Sequence, residues 1–257
     1  MIHSARPGRP GLVVVGLLFM ALTLVGVRAE AQTRVLMVTD TWPPFRMEET
    51  SFGTIKDGID FQVIRRIGEE LGLELEIQYH PWARALELLR VGRADLMTGV
   101  AYSPERDEYL LYVPTPYAAV RPALYTRAGM ASTVRSYGDL AGKTIGQSAA
   151  SVYFEPYDSD GSLDKLNLQY EEQLLRMLVL GRVDVVVGTE PNIGWDASRL
   201  GLSGLVEPAL YEPEGRTELF IVVSERSPLG SRSAEIDAVI RRMLASGEID
   251  AIMAAYR

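Results

Sequence analysis

From residue 33 to residue 97 the chain alternates short β-branched runs with helix-period runs, and that alternation restricts the fold more than any other feature. Residues 33–39 (TRVLMVT) read as a strand. Gly58-Ile59-Asp60-Phe61 opens a helix to Leu71, because Ile59, Val63, Ile64, Ile67 and Leu71 recur on one face at a 3.6-residue period. Gly72 ends it. Residues 73–77 alternate apolar and acidic side chains, as a half-exposed strand does, and Pro81-Trp82 starts a second helix through Leu89. Leu96 and Met97, after Gly92-Arg93, begin a short core strand. The order β-α-β-α-β calls for an α/β sheet with parallel strands, whose binding crevice lies beyond the strands' C-terminal ends.

The pattern returns further on. GRADLMTG at 92–99 and GRVDVVVG at 181–188 share one design, each after a Leu-rich helix. Two readings stay open: a plan used twice, or a connection common to many helix-to-strand junctions. Around the second copy the sequence predicts a strand at 143–146, a loop at 147–151, a helix from Val152, a strand at 166–170, a helix at 171–180 and a strand at 183–187. The extended run 217–223 then returns the chain to the first lobe, and helices at about 231–245 and 247–256 complete it. The expected organisation is two lobes, each a mixed, mostly parallel sheet flanked by helices: 32–123 with 218–257, and 124–217. Two crossings make a hinge.

The first 31 residues are expected to be a cleaved signal peptide. They carry Arg6 and Arg9, an apolar run from Leu12 to Val27 and a terminal Ala29-Glu30-Ala31, although the run is barely long enough to be a retained anchor instead. Their removal takes Lys+Arg from 26 to 23 and Asp+Glu from 34 to 33, so the net charge moves from −8 to −10. An acidic chain with scattered charge is a poor ligand for nucleic acid or an anionic membrane. Cysteine is absent and only His3 and His80 occur, so thiol chemistry, a histidine-based metal site and a Ser/His/Asp triad find no support. No phosphate-binding glycine loop occurs either, and no cofactor is expected.

The candidate site gathers at predicted strand ends. Ser103-Pro104-Glu105 can open a turn of helix after the core strand, with Arg106 in its first turn. A cation there opposes the helix dipole, so one reading is that it is kept for an anion; the competing reading is an exposed arginine paired with Glu105 or Asp107. Trp42 and Phe45, in the rigid loop TWPPF, are either core plugs or a pocket wall, and Trp82 falls at a comparable strand end.

Read in order, TWPPF, DGIDFQVIRRIGEELGLELE, the Pro81-Trp82 pair, GRADLMTGVAYSPERDEYLLYVPTPY, DLAGKTIGQ, GRVDVVVGTEP and SERSPLG resemble the bacterial extracellular solute-binding proteins of family 3, periplasmic receptors of polar amino-acid transporters. The likeness covers nearly all of the chain after the signal. It implies a type II periplasmic binding fold with the ligand between the lobes. It further implies that Arg106 holds the ligand's α-carboxylate, for which a planar guanidinium is suited, and that Trp42 and Trp82 sandwich the ligand. Gly99 matches a position where backbone meets the ligand amine, and Ser148, Ala150 and Ser151, with Gln147 and Ala149, lie in the loop that closes over the carboxylate.

Two positions depart from the family pattern. A first-lobe Thr or Ser is Ala101 here, with Tyr102 and Ser103 as possible substitutes, and the second-lobe aspartate that pairs the ligand's ammonium is Thr189. Either Glu190 turns inward or the ligand carries no ammonium, since a buried ammonium without an anion costs several kcal/mol; Glu190 is equally the first turn of a solvent-facing helix before Pro191. The expected function is a monomeric, non-enzymatic periplasmic receptor that delivers a small carboxylate-bearing solute to an ABC transporter permease. The alternatives are a ligand-binding partner of a membrane sensor, and an enzyme like the cyclohexadienyl dehydratases with Glu190 and Glu155 as acid and base.

Overall fold

A computed structural model of the chain describes residues 1–3, 33–49 and 55–256. The expected signal peptide lies outside these residues except for its first three. The alternation read from the sequence is present as β1 (Thr33–Thr39), an antiparallel pair of β2 (Met47–Glu49) and β3 (Ile55–Asp57), α1 (Ile59–Leu71), β4 (Leu73–Tyr79), α2 (Trp82–Arg90) and β5 (Leu96–Val100). There follow α3 (Pro104–Asp107), β6 (Leu110–Tyr112), β7 (Ala118–Arg127), β8 (Thr144–Ser148), β9 (Asp164–Leu168), α4 (Glu171–Val179) and β10 (Val185–Glu190). The chain ends with α5 (Asn192–Arg199), β11 (Val206–Pro208), β12 (Thr217–Ser224), α6 (Ser233–Ala245) and α7 (Glu248–Ala254).

The first lobe has the strand order β4-β1-β5-β12, with β1 parallel to β4 and β5, and β12 antiparallel to β5. The second has the order β9-β8-β10-β7, with β8 parallel to β9 and β10, and β7 antiparallel to β10. The two are the same plan. They join where Thr217, Glu218 and Leu219 of β12 pair with Val120, Ala119 and Ala118 of β7, so these two strands are the crossings.

The repeated motif has a structural meaning. Gly92 (φ 71) and Gly181 (φ 67) take the left-handed conformation that closes α2 and α4, a region costly for residues with a Cβ. The aspartate three residues on clips the third strand of each sheet to the first: Asp95 N–H donates to Leu36 O (2.9 Å) and Leu36 N–H to its carboxylate (2.8 Å). Asp184 N–H does the same to Thr144 O (2.8 Å), and Thr144 N–H returns to the carboxylate (3.0 Å). Both copies stand at the same place in two sheets of one order, which favours a shared plan over a generic connection.

Burial follows the helical and strand periods. Ile59, Val63, Ile64 and Ile67 of α1 are buried with Val35 and Met37 of β1, Leu96 of β5 and Ile236, Val239 and Ile240 of α6. Each such side chain contributes about 1.5–3 kcal/mol when buried. On the second lobe, Leu174, Leu175 and Leu178 of α4 pack with Val186 of β10 and Ile193 of α5, while Ile145, Val185 and Val187 face a separate cluster with Tyr153 and Tyr157.

Three expectations fail. No helix begins at Val152: the Asp158 carboxylate takes the Tyr153 N–H at 2.9 and 3.0 Å, and residues 155–159 form turns. An aspartate side chain that captures a backbone donor competes with helix formation. The strand expected at 166–170 is displaced to Asp164–Leu168, and β10 runs on to Glu190. Helix α5 follows at once, but Glu190 ends β10 instead of standing in its first turn, and the helix buries Ile193 and Ala197.

Candidate functional site

Arg106 is positioned as its sequence context predicts. Ser103 caps α3 by accepting the Arg106 N–H at 3.4 Å, Pro104 stands at the first turn, and β5 supplies the buried approach. The side chain then turns inward: Arg106 is only 4 % exposed. Its Nη1 donates to Ala101 O at 2.8 Å and its Nη2 to Ala150 O at 2.6 Å, and the guanidinium lies 5.7 Å from the Trp82 ring centre. Among the described residues it has no carboxylate partner, so the exposed pair with Glu105 or Asp107 is not formed. Burial draws its pKa down, partly opposed by Tyr112, Tyr109 and Glu105.

Ala150 belongs to the loop after β8 on the opposite lobe. It holds φ 60, uncommon for a residue with a Cβ, and thereby aims one carbonyl at both Arg106 and the Trp82 Nε1–H (3.2 Å). A third hydrogen bond across the cleft runs from Asn192 Nδ2 to Pro43 O at 2.8 Å.

The first-lobe wall contains a residue that the sequence reading missed. Arg46, 1 % exposed, makes an ion pair with Asp40 (2.7 Å) and another with Asp60 (2.8 Å), and its guanidinium lies 4.7 Å from the Trp42 ring and 5.6 Å from that of Trp82. Burial alone would lower its pKa; Asp40 and Asp60 more than offset that and leave it above the ordinary value. Asp60 also accepts the Thr98 hydroxyl (2.9 Å) and the Tyr117 hydroxyl. Gly99 is explained by this cluster, because a Cβ there would lie 2.2 Å from Arg46 Nη1. Trp42 and Trp82 therefore already flank a guanidinium of the chain itself.

The cleft is lined by Trp42, Trp82, Gly99, Ala101, Arg106, Ser148, Ser151 and Thr189 among the predicted residues, joined by Asp40, Arg46, Tyr153 and Glu171. Phe45 and Glu190 are corrections. Phe45 is a core residue, 1 % exposed, stacked on Trp42 at 4.8 Å between ring centres. Glu190 accepts the Tyr125 hydroxyl and lines a different depression with Arg121 and Tyr211. Strand alternation accounts for it: Thr189 faces the cleft, so its neighbour faces away. Thr189 donates its hydroxyl to Asn192 Oδ1 at 3.0 Å.

Glu171, the first residue of α4, brings the second lobe's carboxyl to the cleft. Its Oε2 is buried without a hydrogen-bond partner among the described residues, and its Oε1 lies near Gly188 of β10, 3.7 Å from where a Cβ would stand. Burial, followed by the negative charges of Asp196 and Asp40, pushes it up to about 8, against the opposing influence of Arg46 and the Trp42 indole. In sequence it is one of two glutamates opening a helix, which is ordinary for a first turn.

Residues 35–257 match the family model of bacterial extracellular solute-binding proteins, family 3. A probable amino-acid ABC transporter-binding protein of Haemophilus influenzae is 28% identical over 162 residues, 62% of this chain and 61% of that protein. A probable ABC transporter extracellular-binding protein of Bacillus subtilis is 25% identical over 156 residues, 60% of this chain and 54% of that protein. The chain thus aligns with less than two thirds of either relative. Among solved structures, an amino acid ABC transporter substrate-binding protein of Streptococcus pneumoniae bound to L-arginine superposes with a TM-score of 0.75 at 22% identity, covering 87% of this chain and 94% of that one. A histidine kinase sensor domain with similarity to periplasmic binding proteins gives 0.77 at 19% identity, covering 87% and 95%. The ligand-binding core of GluR0 from Nostoc punctiforme, in complex with L-glutamate, gives 0.71 at 20%, covering 86% and 98%. The match over 35–257, on a two-lobed α/β scaffold with a cleft between the lobes, places this chain in the family 3 bacterial extracellular solute-binding proteins.

Proposed function

We propose that the protein is a periplasmic receptor that captures a small carboxylate-bearing solute, an amino acid or a close derivative, between lobes 32–123 with 218–257 and 124–217, and delivers it to an ABC transporter. The observation that carries this reading is Arg106: a buried guanidinium in the cleft that donates to two backbone carbonyls and has no carboxylate partner among the described residues. A buried charge held this way gains most from an anion presented to it, and a carboxylate fits the fork of a guanidinium. Secretion through a cleaved signal at 1–31, a monomeric state and the absence of catalysis complete the proposal. The two carboxylates weighed as a dehydratase's acid and base do not line the cleft: Glu190 is turned to Tyr125, and Glu155 accepts the Ser159 hydroxyl. The histidine kinase sensor neighbour supports a second reading, a binding partner of a membrane sensor, which capture of a kinase ectodomain and no permease would favour.

The test is calorimetric titration with amino acids and their amine-free counterparts. Arg106→Ala is expected to cost about 2–5 kcal/mol of affinity for any carboxylate that binds, and Arg106→Lys less. Equal affinity of the wild type and the alanine variant would overturn the assignment.

A further inference from the structure

The cleft holds a guanidinium and a carboxyl that have no ionic partner among the described residues, and they come from different lobes. Arg106 stands on the first. On the second, Glu171 presents a carboxyl whose Oε2 is buried and unpartnered among the described residues. The remaining charges in the cleft are committed. Arg46 is bound by Asp40 and Asp60, and Asp196, on α5, is bound by Arg199 at 3.2 Å. Thr189, the β10 side chain facing the cleft, offers only a hydroxyl, and that donates to Asn192.

We propose that Glu171 receives the cationic end of the solute, an ammonium, from the N-terminus of α4, and that its capture expels a proton from the cleft. The proposal rests on the reading of Arg106 as the carboxylate anchor, and it narrows the solute class to zwitterions. The groups facing Glu171 are Asp196 of α5, Asp40 after β1, Arg46 and Trp42 of the following loop, and Tyr153 of the loop after β8. Arg199 pairs with Asp196 and Arg46 with Asp40, yet the balance of burial and these neighbours still disfavours an anion at Glu171 and favours a cation against it. Burial and these neighbours keep the carboxyl largely protonated at pH 7, with a pKa of about 8. An ammonium placed against it supplies the missing positive charge, the O–H bond breaks, the proton leaves to solvent, and a carboxylate–ammonium pair remains.

The experiment titrates the protein with L-alanine, L-glutamine, L-glutamate and L-arginine and with propionate, glutaramate, glutarate and 5-guanidinopentanoate. Each titration is run at pH 7 in two buffers of different ionisation enthalpy, which counts protons released. The expected result is that at least one amino acid binds with release of close to one proton, and that its affinity rises about tenfold from pH 6 to pH 7. Glu171→Gln, which keeps the shape of the protonated acid and should fold, is expected to weaken that amino acid by about 10–100-fold. It should also abolish proton release and leave the amine-free acids unchanged. Glu87→Gln, whose exposed carboxylate is paired with Arg90 away from the cleft, should change none of these readouts.

Wild-type affinity and proton count in Glu171→Gln would overturn the proposal, as would binding of amine-free acids alone. If either pattern comes with loss of binding in Arg106→Ala, only the Glu171 assignment falls. If no compound binds the wild type, the carboxylate reading and this inference fall together.

Discussion

Replacement of Arg46 by methionine is the most informative perturbation of the scaffold. The substitution keeps an unbranched apolar stem between Trp42 and Trp82 but removes the charge that Asp60 and Asp40 share. Asp60 has a side chain with no exposure, and it would keep only the Thr98 and Tyr117 hydroxyls; Asp40, with 19% side-chain exposure, can still reach water. Leaving one carboxylate buried without its cation costs about 3–5 kcal/mol. For a domain of this size each kcal/mol moves the melting temperature by about 2–4 °C, so the drop should be roughly 6–20 °C. Asp60→Asn alone strands the guanidinium and is expected to cost a similar amount. Arg46→Met with Asp60→Asn removes both charges, and the pair should cost about 2 kcal/mol less than the sum of the single changes. Urea denaturation at pH 7 measures all four proteins. Additivity within about 0.5 kcal/mol, or an Arg46→Met variant within about 1 kcal/mol of wild type, would refute the reasoning, because the ion pair would then not be carrying the burial of Asp60.

Two other predictions test neighbouring parts of the site. Gly99→Ala should destabilise by about 2–5 kcal/mol in the same urea experiment, since φ 70 disfavours a Cβ and the new methyl would stand 2.2 Å from a guanidinium held by two carboxylates; a loss under about 1 kcal/mol would mean that Arg46 has room to move. Glu171 predicts a pH dependence of stability. Its ordinary pKa is 4.5 and its folded value about 8, so between these limits the native state holds a proton that the unfolded chain has released. Stability should therefore fall as pH rises through this window, by about 1 kcal/mol per unit relative to Glu171→Gln, and parallel curves for the two proteins from pH 5 to pH 8 would contradict it.

Much of the scaffold was legible because it obeys local periods. The α1 face, the alternation of β4 and the repeated Gly-Arg-x-Asp connection each carry their signal within a few residues, and the structure realises them nearly where they were read. Arg106 was legible for the same reason, since Ser103 and Pro104 write the start of its helix into the sequence. Arg46 and Glu171 were not. Arg46 follows Phe45 in a loop without period, and its partner Asp60 sits on the first turn of a helix, where an aspartate ordinarily faces water. Only the tertiary fold brings them together. Glu190 was open to a local argument, because one strand cannot direct both Thr189 and its neighbour into one cleft. The false helix at Val152 marks the limit of propensity, since the Asp158 carboxylate, five residues on, holds the Tyr153 N–H and residues 155–159 fold as turns.

The division of charge between the lobes bears on how such a receptor works. The hydrogen bonds that cross the cleft end on the backbone carbonyls of Ala150 and Pro43, and a typical hydrogen bond contributes about 0.5–1.5 kcal/mol net, more when one partner is charged. Such contacts hold two lobes together weakly, and they do not discriminate among solutes. Discrimination requires groups that a correct solute satisfies and a wrong one leaves unpaired. On the proposed reading Arg106 and Glu171 meet that requirement only as a pair, because the first is fixed to α3 of one lobe and the second to α4 of the other. A solute with a carboxylate alone would then engage the first lobe and leave the acid of the second protonated. A solute bearing both charges would gain its second interaction only when the lobes approach, so its binding energy would differ between open and closed states, which is the condition for a ligand to shift that equilibrium. Selectivity and closure would on this proposal share one origin, the placement of a guanidinium and an acid on bodies joined by the two strands β7 and β12.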